Sequence, residues 1–206
     1  MYPVDADDRA ADGRTARWAH RRPQLLAAAT EYVLDNGVAD LTLRPLAAGI
    51  GVTITTVVRQ FGSKDELIEE VTRAINQQLL DDLRHDPELA DRPPIETLRT
   101  LWHRWLTPAQ ARQFRLMFEL YGLALQNPRQ YRWFTESVVR DWLPPIEQAL
   151  ARAGVQPARA RTLATLVLAL LRGLHLDLVV THDTARIDAA FEIAVTTLAA
   201  AVGANQ

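Results

Sequence analysis

Along almost the whole chain the apolar residues fall three and four apart, the spacing of helices with one buried face. In RRPQLLAAATEYVLDNG, Leu25, Ala29, Tyr32, Val33 and Asn36 form one stripe, and Gly37 is placed to end the helix in a left-handed cap. A two-turn helix is predicted after VADLT, with Thr42 as its candidate cap, Leu43, Leu46, Ala47 and Ile50 on one face, and Gly51 as terminator. One stretch breaks the pattern. In GVTITTVVRQFGSKDEL, residues 51–67, the β-branched Thr53, Thr55, Thr56, Val57 and Val58 favour a strand, yet Ser63 and Glu66 form a capping box that opens a helix. A strand here would need a partner, and no second convincing period-two run occurs in the chain. Residues Thr53 to Gln60 are therefore predicted as a third short helix, capped by Thr53, with Val57 and Phe61 inward and Ile54, Thr55, Val58 and Arg59 outward.

The remainder also reads as helix. From Ser63, Leu67, Ile68, Val71, Ala74, Ile75, Leu79 and Leu83 keep helical spacing, and HDPELADRPP is a loop. A helix from Pro94 or Ile95 to about Leu106 follows, then ARQFRLMFELYGLAL. YRWFTESVVRDWLPPIEQALARAG reads as one long helix bent near Pro144 and Pro145 and capped by Gly154. Pro157 opens the eighth predicted helix and Asp183 or Thr184 the ninth. The expected fold is all-α: an N-terminal three-helix helix-turn-helix domain over 14–66, and a C-terminal helical domain of about six helices over 67–206.

Composition narrows the function. The chain has 206 residues, 48% of them hydrophobic, enough to build a substantial core. No run of about 18 uncharged apolar residues occurs, and MYPVDADDRAADGR is acidic where a secretory signal would be basic, so a cytoplasmic protein without membrane association is expected. There is no cysteine, which excludes disulfides, thiolate metal sites and thiol nucleophiles. The net charge of −2 is unevenly spread: from Arg14 to Lys64 there are seven basic residues against three acids, whereas Asp65 to Gln206 is net acidic. A basic N-terminal part suggests a polyanionic partner.

The segment from Arg22 to Leu67, with LLAAATEYVLDNG, LTLRPLAAGIGVT, a short helix ending in Phe61 and then GSKDEL, resembles the DNA-binding region of the tetracycline-repressor (TetR) family. The resemblance implies a homodimer that binds a palindromic double-stranded DNA operator, with the eighth and ninth predicted helices pairing across a two-fold axis. The chain departs from the family at Val58, where tyrosine is usual, at Gln60, and at Thr55. Candidate DNA contacts are Arg14, Arg17, Arg21, Arg22, Thr42, Arg44, Thr53, Gln60 and Lys64, with Ile54, Thr55, Thr56, Val58 and Arg59 able to reach base edges or thymine methyls.

An aromatic-rich middle holds Trp102, Trp105, Phe114, Met117, Phe118, Tyr121, Trp133, Phe134 and Trp142. Aromatic stripes at helical spacing are mostly core. In the resembling family this region holds an effector pocket, which makes Trp102, Trp105, Phe114, Met117, Phe118, Tyr121, Trp142, Arg172 and His175 candidate contacts for a small apolar or aromatic ligand. His175 and His182 lie seven apart with Asp177 and Asp183 nearby, but no recognised metal-binding spacing is present, and no cofactor is expected. No GxSxG elbow or phosphate-cradling glycine loop occurs, so the sequence supports no catalytic residue. The expectation is a ligand-released repressor. A helical small-molecule-sequestering protein with a degenerate DNA module remains the alternative, and a helical enzyme a more distant one.

Overall fold

The structure is a computed structural model that describes residues 6–89 and 92–203, with side chains from Arg21 onward. Among the described residues there are ten helices and no strand: α1 (Ala6–Asn36), α2 (Leu43–Gly49), α3 (Ile54–Phe61), α4 (Lys64–His85), α5 (Pro94–Trp105), α6 (Pro108–Gln126), α7 (Arg132–Arg140), α8 (Leu143–Arg152), α9 (Pro157–Thr181) and α10 (Thr184–Gly203). They form two compact units that divide after Ile75, within α4.

In the first unit, Leu25, Ala29, Val33 and Leu34 of α1, Leu46 and Ala47 of α2, Val57 and Phe61 of α3, and Leu67, Ile68 and Val71 of α4 are buried together with Val38 and Leu41. These are mostly the positions that helical spacing selected. The backbone of α1 is helical well upstream of that stripe, from Ala6 and through Pro23. The α2–α3 turn explains how the chain reverses so tightly. Val52 N–H donates to Ala47 C=O at 2.9 Å and Gly51 N–H to Ala48 C=O at 3.2 Å, closing a Schellman turn around Gly51. Gly51 has φ of +70°, a conformation that any Cβ would penalise.

In the second unit, α9 packs against α6, α8 and α10, and α10 also packs against α5. The core joins Leu98 and Trp102 of α5, Leu150 of α8, Leu163, Ala164, Val167 and Leu171 of α9, and Ile187, Phe191, Val195 and Leu198 of α10. The helix expected to bend at Pro144 and Pro145 is in fact two helices, which gives ten elements rather than about nine. α7 stops at Arg140, and the prolines sit in the first turn of α8, where a missing N–H breaks no intrahelical bond. Both C-terminal helices also carry exposed apolar residues: Leu166, Leu176 and Val180 on α9 and Ile193 on α10. Among the described residues α9 alone meets the requirement of length and apolar composition for crossing a bilayer, as core helices of helical proteins also do.

Candidate DNA-reading surface and ligand site

α3 is a helix despite its β-branched content because both ends are chemically fixed and one face is buried. At its start the Thr53 hydroxyl accepts from Thr56 N–H at 3.2 Å, and the two threonine hydroxyls lie 3.0 Å apart. After its end, Ser63 N–H donates to the Glu66 carboxylate at 2.7 Å while Glu66 N–H donates to the Ser63 hydroxyl at 3.2 Å. This reciprocal capping box opens α4, and the Ser63 backbone bond holds the Glu66 pKa below its ordinary value. Val57 and Phe61 anchor α3 to the core, leaving Ile54, Thr55, Val58 and Arg59 exposed and Gln60 half-buried.

The predicted DNA contacts divide by how far the fold already occupies them. Arg44 on α2 is exposed, as is Thr42. Thr42 holds the N-cap position of α2 without a side-chain cap bond, so its hydroxyl contributes less to that helix start than expected. Thr53 and Thr56 are committed to the cap of α3. Lys64, half-buried at the start of α4, donates to Ala39 C=O at 3.5 Å, a long bond that keeps its ammonium close to the loop before α2. Arg22 is tied down: it pairs with Glu70 at 2.8 Å and its guanidinium lies 5.8 Å from the Phe61 ring. Arg21 is exposed on α1, and the side chains of Arg14 and Arg17 lie outside the described residues.

Apart from Tyr121, the aromatic candidates in the second unit form one chain of ring contacts centred on His175. Its imidazole stacks on Phe114 at 3.8 Å between centroids and meets Trp102 and Trp105 edge-on at 4.7 and 5.9 Å. Trp105 also reaches Phe114 at 6.1 Å and Trp142 at 6.3 Å, while Phe118 lies 6.4 Å from Phe114. His175 Nδ1 lies 2.8 Å from Leu171 C=O and donates to it, leaving Nε2 as an acceptor buried without a partner. Burial pushes the imidazole pKa down to about 4, so the ring is neutral at pH 7.

Two of the candidates, Trp102 and Trp142, are core supports as much as lining. Trp102 is 0% exposed, stacks on Phe191 at 4.4 Å and donates its indole N–H to Asp188 at 2.8 Å. Trp142 is half-buried and held from behind, donating to Asn76 at 2.6 Å, which in turn donates to Asp141 at 3.1 Å. Tyr121 and Arg172 belong to a separate pair, with the guanidinium 5.8 Å from the phenol ring and hydrogen-bonded to Val138 C=O. Burial raises the Tyr121 pKa and lowers that of Arg172. Met117 is half-buried on α6. Phe191, Asp188 and Asn76 were not anticipated; the only sequence signal was that Asp188 and Asn76 place polar groups among apolar helix positions.

The histidine and aspartate cluster does not converge. His182 takes the left-handed C-cap of α9, and Asp177 and Asp183 both bond Arg186, at 2.8 and 3.2 Å. Among the described residues no three His, Cys, Asp or Glu side chains could jointly hold a metal ion.

Two family models match the chain: bacterial regulatory proteins of the tetR family over residues 25–71, and the C-terminal domain of LmrA/YxaF-like transcriptional regulators over residues 94–204, more than half of its length. No curated protein matches it. Similar solved structures include a transcriptional regulator from Rhodococcus sp. Rha1, 22% identical with a TM-score of 0.71 over 85% of this chain and 94% of that one. The multidrug binding protein EbrR complexed with ethidium is 28% identical, with a TM-score of 0.63 over 86% of this chain and 98% of that one. EbrR has also been solved with proflavin. BioQ, in complex with its double-stranded DNA operator, is 24% identical, with a TM-score of 0.56 over 89% of this chain and 98% of that one.

Proposed function

The chain belongs to the tetR family of bacterial transcriptional regulators, with an LmrA/YxaF-like C-terminal domain, and from that premise we propose that it is a repressor released from a palindromic operator by a small aromatic ligand. The observation that carries the DNA half is α3: a helix pinned by Val57 and Phe61, following a tight turn, with its remaining face open to solvent. Residues 14–66 would read DNA and residues 67–206 would bind effector and dimerise. The exposed Leu166, Leu176, Val180 and Ile193 support pairing of α9 and α10 with a second copy, which sets two copies of α3 on a two-fold-symmetric site. This reading assigns the chain no catalytic step and places it in the cytoplasm with its DNA.

The ligand half rests on the cluster around His175. Half-buried Trp105, Phe114, Phe118 and Trp142 offer flat apolar surface, and His175 Nε2 offers one acceptor with no partner. A planar aromatic molecule bearing an N–H or O–H donor satisfies both, and the ethidium and proflavin complexes of EbrR support that class. Such a ligand lowers operator affinity only by the difference between its affinities for the DNA-competent and DNA-incompetent arrangements.

Selection of bound sequences from random duplex DNA by the purified protein, followed by titration of the winner at several salt concentrations, tests the DNA half. A palindromic consensus bound tightly and salt-sensitively is the expected result. Enrichment of no sequence by a folded dimer would favour the sequestering alternative. Quenching of Trp105 and Trp142 fluorescence by a planar dye, coupled to loss of operator binding, tests the ligand half.

A further inference from the structure

On α3 two large apolar side chains face solvent where a soluble helix would ordinarily be polar: Ile54 is 40% exposed and Val58 48% exposed, whereas Val57 and Phe61 of the same helix are 1% and 5% exposed. They lie four residues apart, one helical turn, or about 6 Å along the axis. The nearby hydroxyls of Thr53 and Thr56 are already engaged with each other. A DNA-reading helix with this face needs an apolar counterpart.

The major groove offers few. Its base edges are hydrogen-bond donors and acceptors except for one apolar group, the C5-methyl of thymine. Isoleucine and valine can pair with no donor or acceptor, and against a guanine, cytosine or adenine edge they would strip water from polar atoms without replacing it. Both are stiff at χ1, so ordering them against a methyl costs little side-chain entropy. Stacked base pairs rise about 3.4 Å each, which makes the 6 Å ridge equal to one or two steps. Resting on the DNA-reading role of α3, we propose that Ile54 and Val58 are specificity-determining residues that read two thymine methyl groups in each operator half-site, one or two base-pair steps apart.

The test starts from the operator selected above and replaces thymine by deoxyuridine one position at a time, symmetrically in both half-sites. This removes one methyl from each half-site, two per operator, and leaves every hydrogen-bonding edge unchanged. Two positions per half-site are expected to be sensitive, with about a fourfold loss of affinity for each methyl removed. Val58→Ala should make one of them indifferent to deoxyuridine and Ile54→Ala the other. Both changes fall on exposed positions of a helix, where alanine is well tolerated, and circular dichroism melting checks that folding is retained. Equal binding of thymine and deoxyuridine operators at every position overturns the proposal and leaves the DNA-reading function standing, as does sensitivity that persists unchanged in both variants. Enrichment of no sequence at all overturns both.

Discussion

His175 should make the protein lose stability in mildly acidic solution, by an amount its surroundings allow to be worked out. The ring is 1% exposed and packed between Phe114, Trp102 and Trp105, none of which can stabilise a buried cation as water does. Its folded pKa is about 4, against an ordinary value of 6.5. Because the folded value lies below the unfolded one, the unfolded chain takes up the proton first as pH falls. The contribution is therefore whole above pH 6.5, shrinks between 6.5 and 4, and is gone below 4. From these two values the loss at pH 5 relative to pH 7.5 is about 2 kcal/mol, approaching about 3 kcal/mol at the acid limit. Urea unfolding at pH 7.5, 6 and 5, at fixed protomer concentration because dimerisation also stabilises, measures it. His175→Phe separates this group from the carboxylates that titrate in the same range. Phenylalanine keeps the ring stacking and removes the unpartnered Nε2, so the variant should be about as stable as the parent at pH 7.5 and about 2 kcal/mol more stable at pH 5. A parent-to-variant difference that stays constant from pH 7.5 to 5 would refute the argument.

Three further outcomes are expected. Asp188→Ala leaves the indole N–H of fully buried Trp102 without an acceptor and should cost about 1–3 kcal/mol in urea unfolding, with no change of slope. Glu66→Ala removes one side of the capping box and should lower stability by about 1 kcal/mol, while Glu66→Gln, which still offers an oxygen to Ser63 N–H, should keep most of it; thermal melts followed by circular dichroism decide. Lys64→Ala should weaken binding to all duplex sequences alike and lower the salt slope by about one; an unchanged slope removes Lys64 from the phosphate contacts.

Most of the first unit was legible because its signals are local. The stripe from Leu25 to Val33, the Gly37 and Gly51 caps and the Ser63–Glu66 box all depend on neighbours within five residues. α3 was legible as a helix too, but by elimination, since its β-branched residues contradict their own propensity and a strand there would have no partner. What overrode that propensity was tertiary burial of Val57 and Phe61 against the core, together with the local Thr53 cap. The break between α7 and α8 was missed for a related reason. A Pro-Pro pair fits the interior of a kinked helix or the first turn of a new one, and only the chain geometry at Asp141 and Trp142 distinguishes them.

The ligand cluster was legible as a set and not as roles, because periodicity tells which residues face inward and not what each inward face meets. Trp102 and Trp105 sit three apart on α5 with equal aromatic character, yet the first is sealed against Phe191 and bonded to Asp188 while the second stays half-buried among Phe114, Trp142 and His175. That difference is set by α10, whose residues lie more than eighty positions away in the chain. It also has a consequence for regulation. Replacing Trp102 disturbs the packing of α5 on α10 and so reports on stability, whereas replacing Trp105 or Phe114 alters the surface around the unpartnered His175 acceptor. Trp105→Ala and Phe114→Ala should therefore weaken ligand response more than they weaken the fold, and Trp102→Ala, at about 3–5 kcal/mol for a buried tryptophan, the reverse. Measuring unfolding and dye quenching on the same three variants distinguishes a ligand site from a core that happens to be aromatic: if all three lose stability and dye binding in the same proportion, the cluster is core.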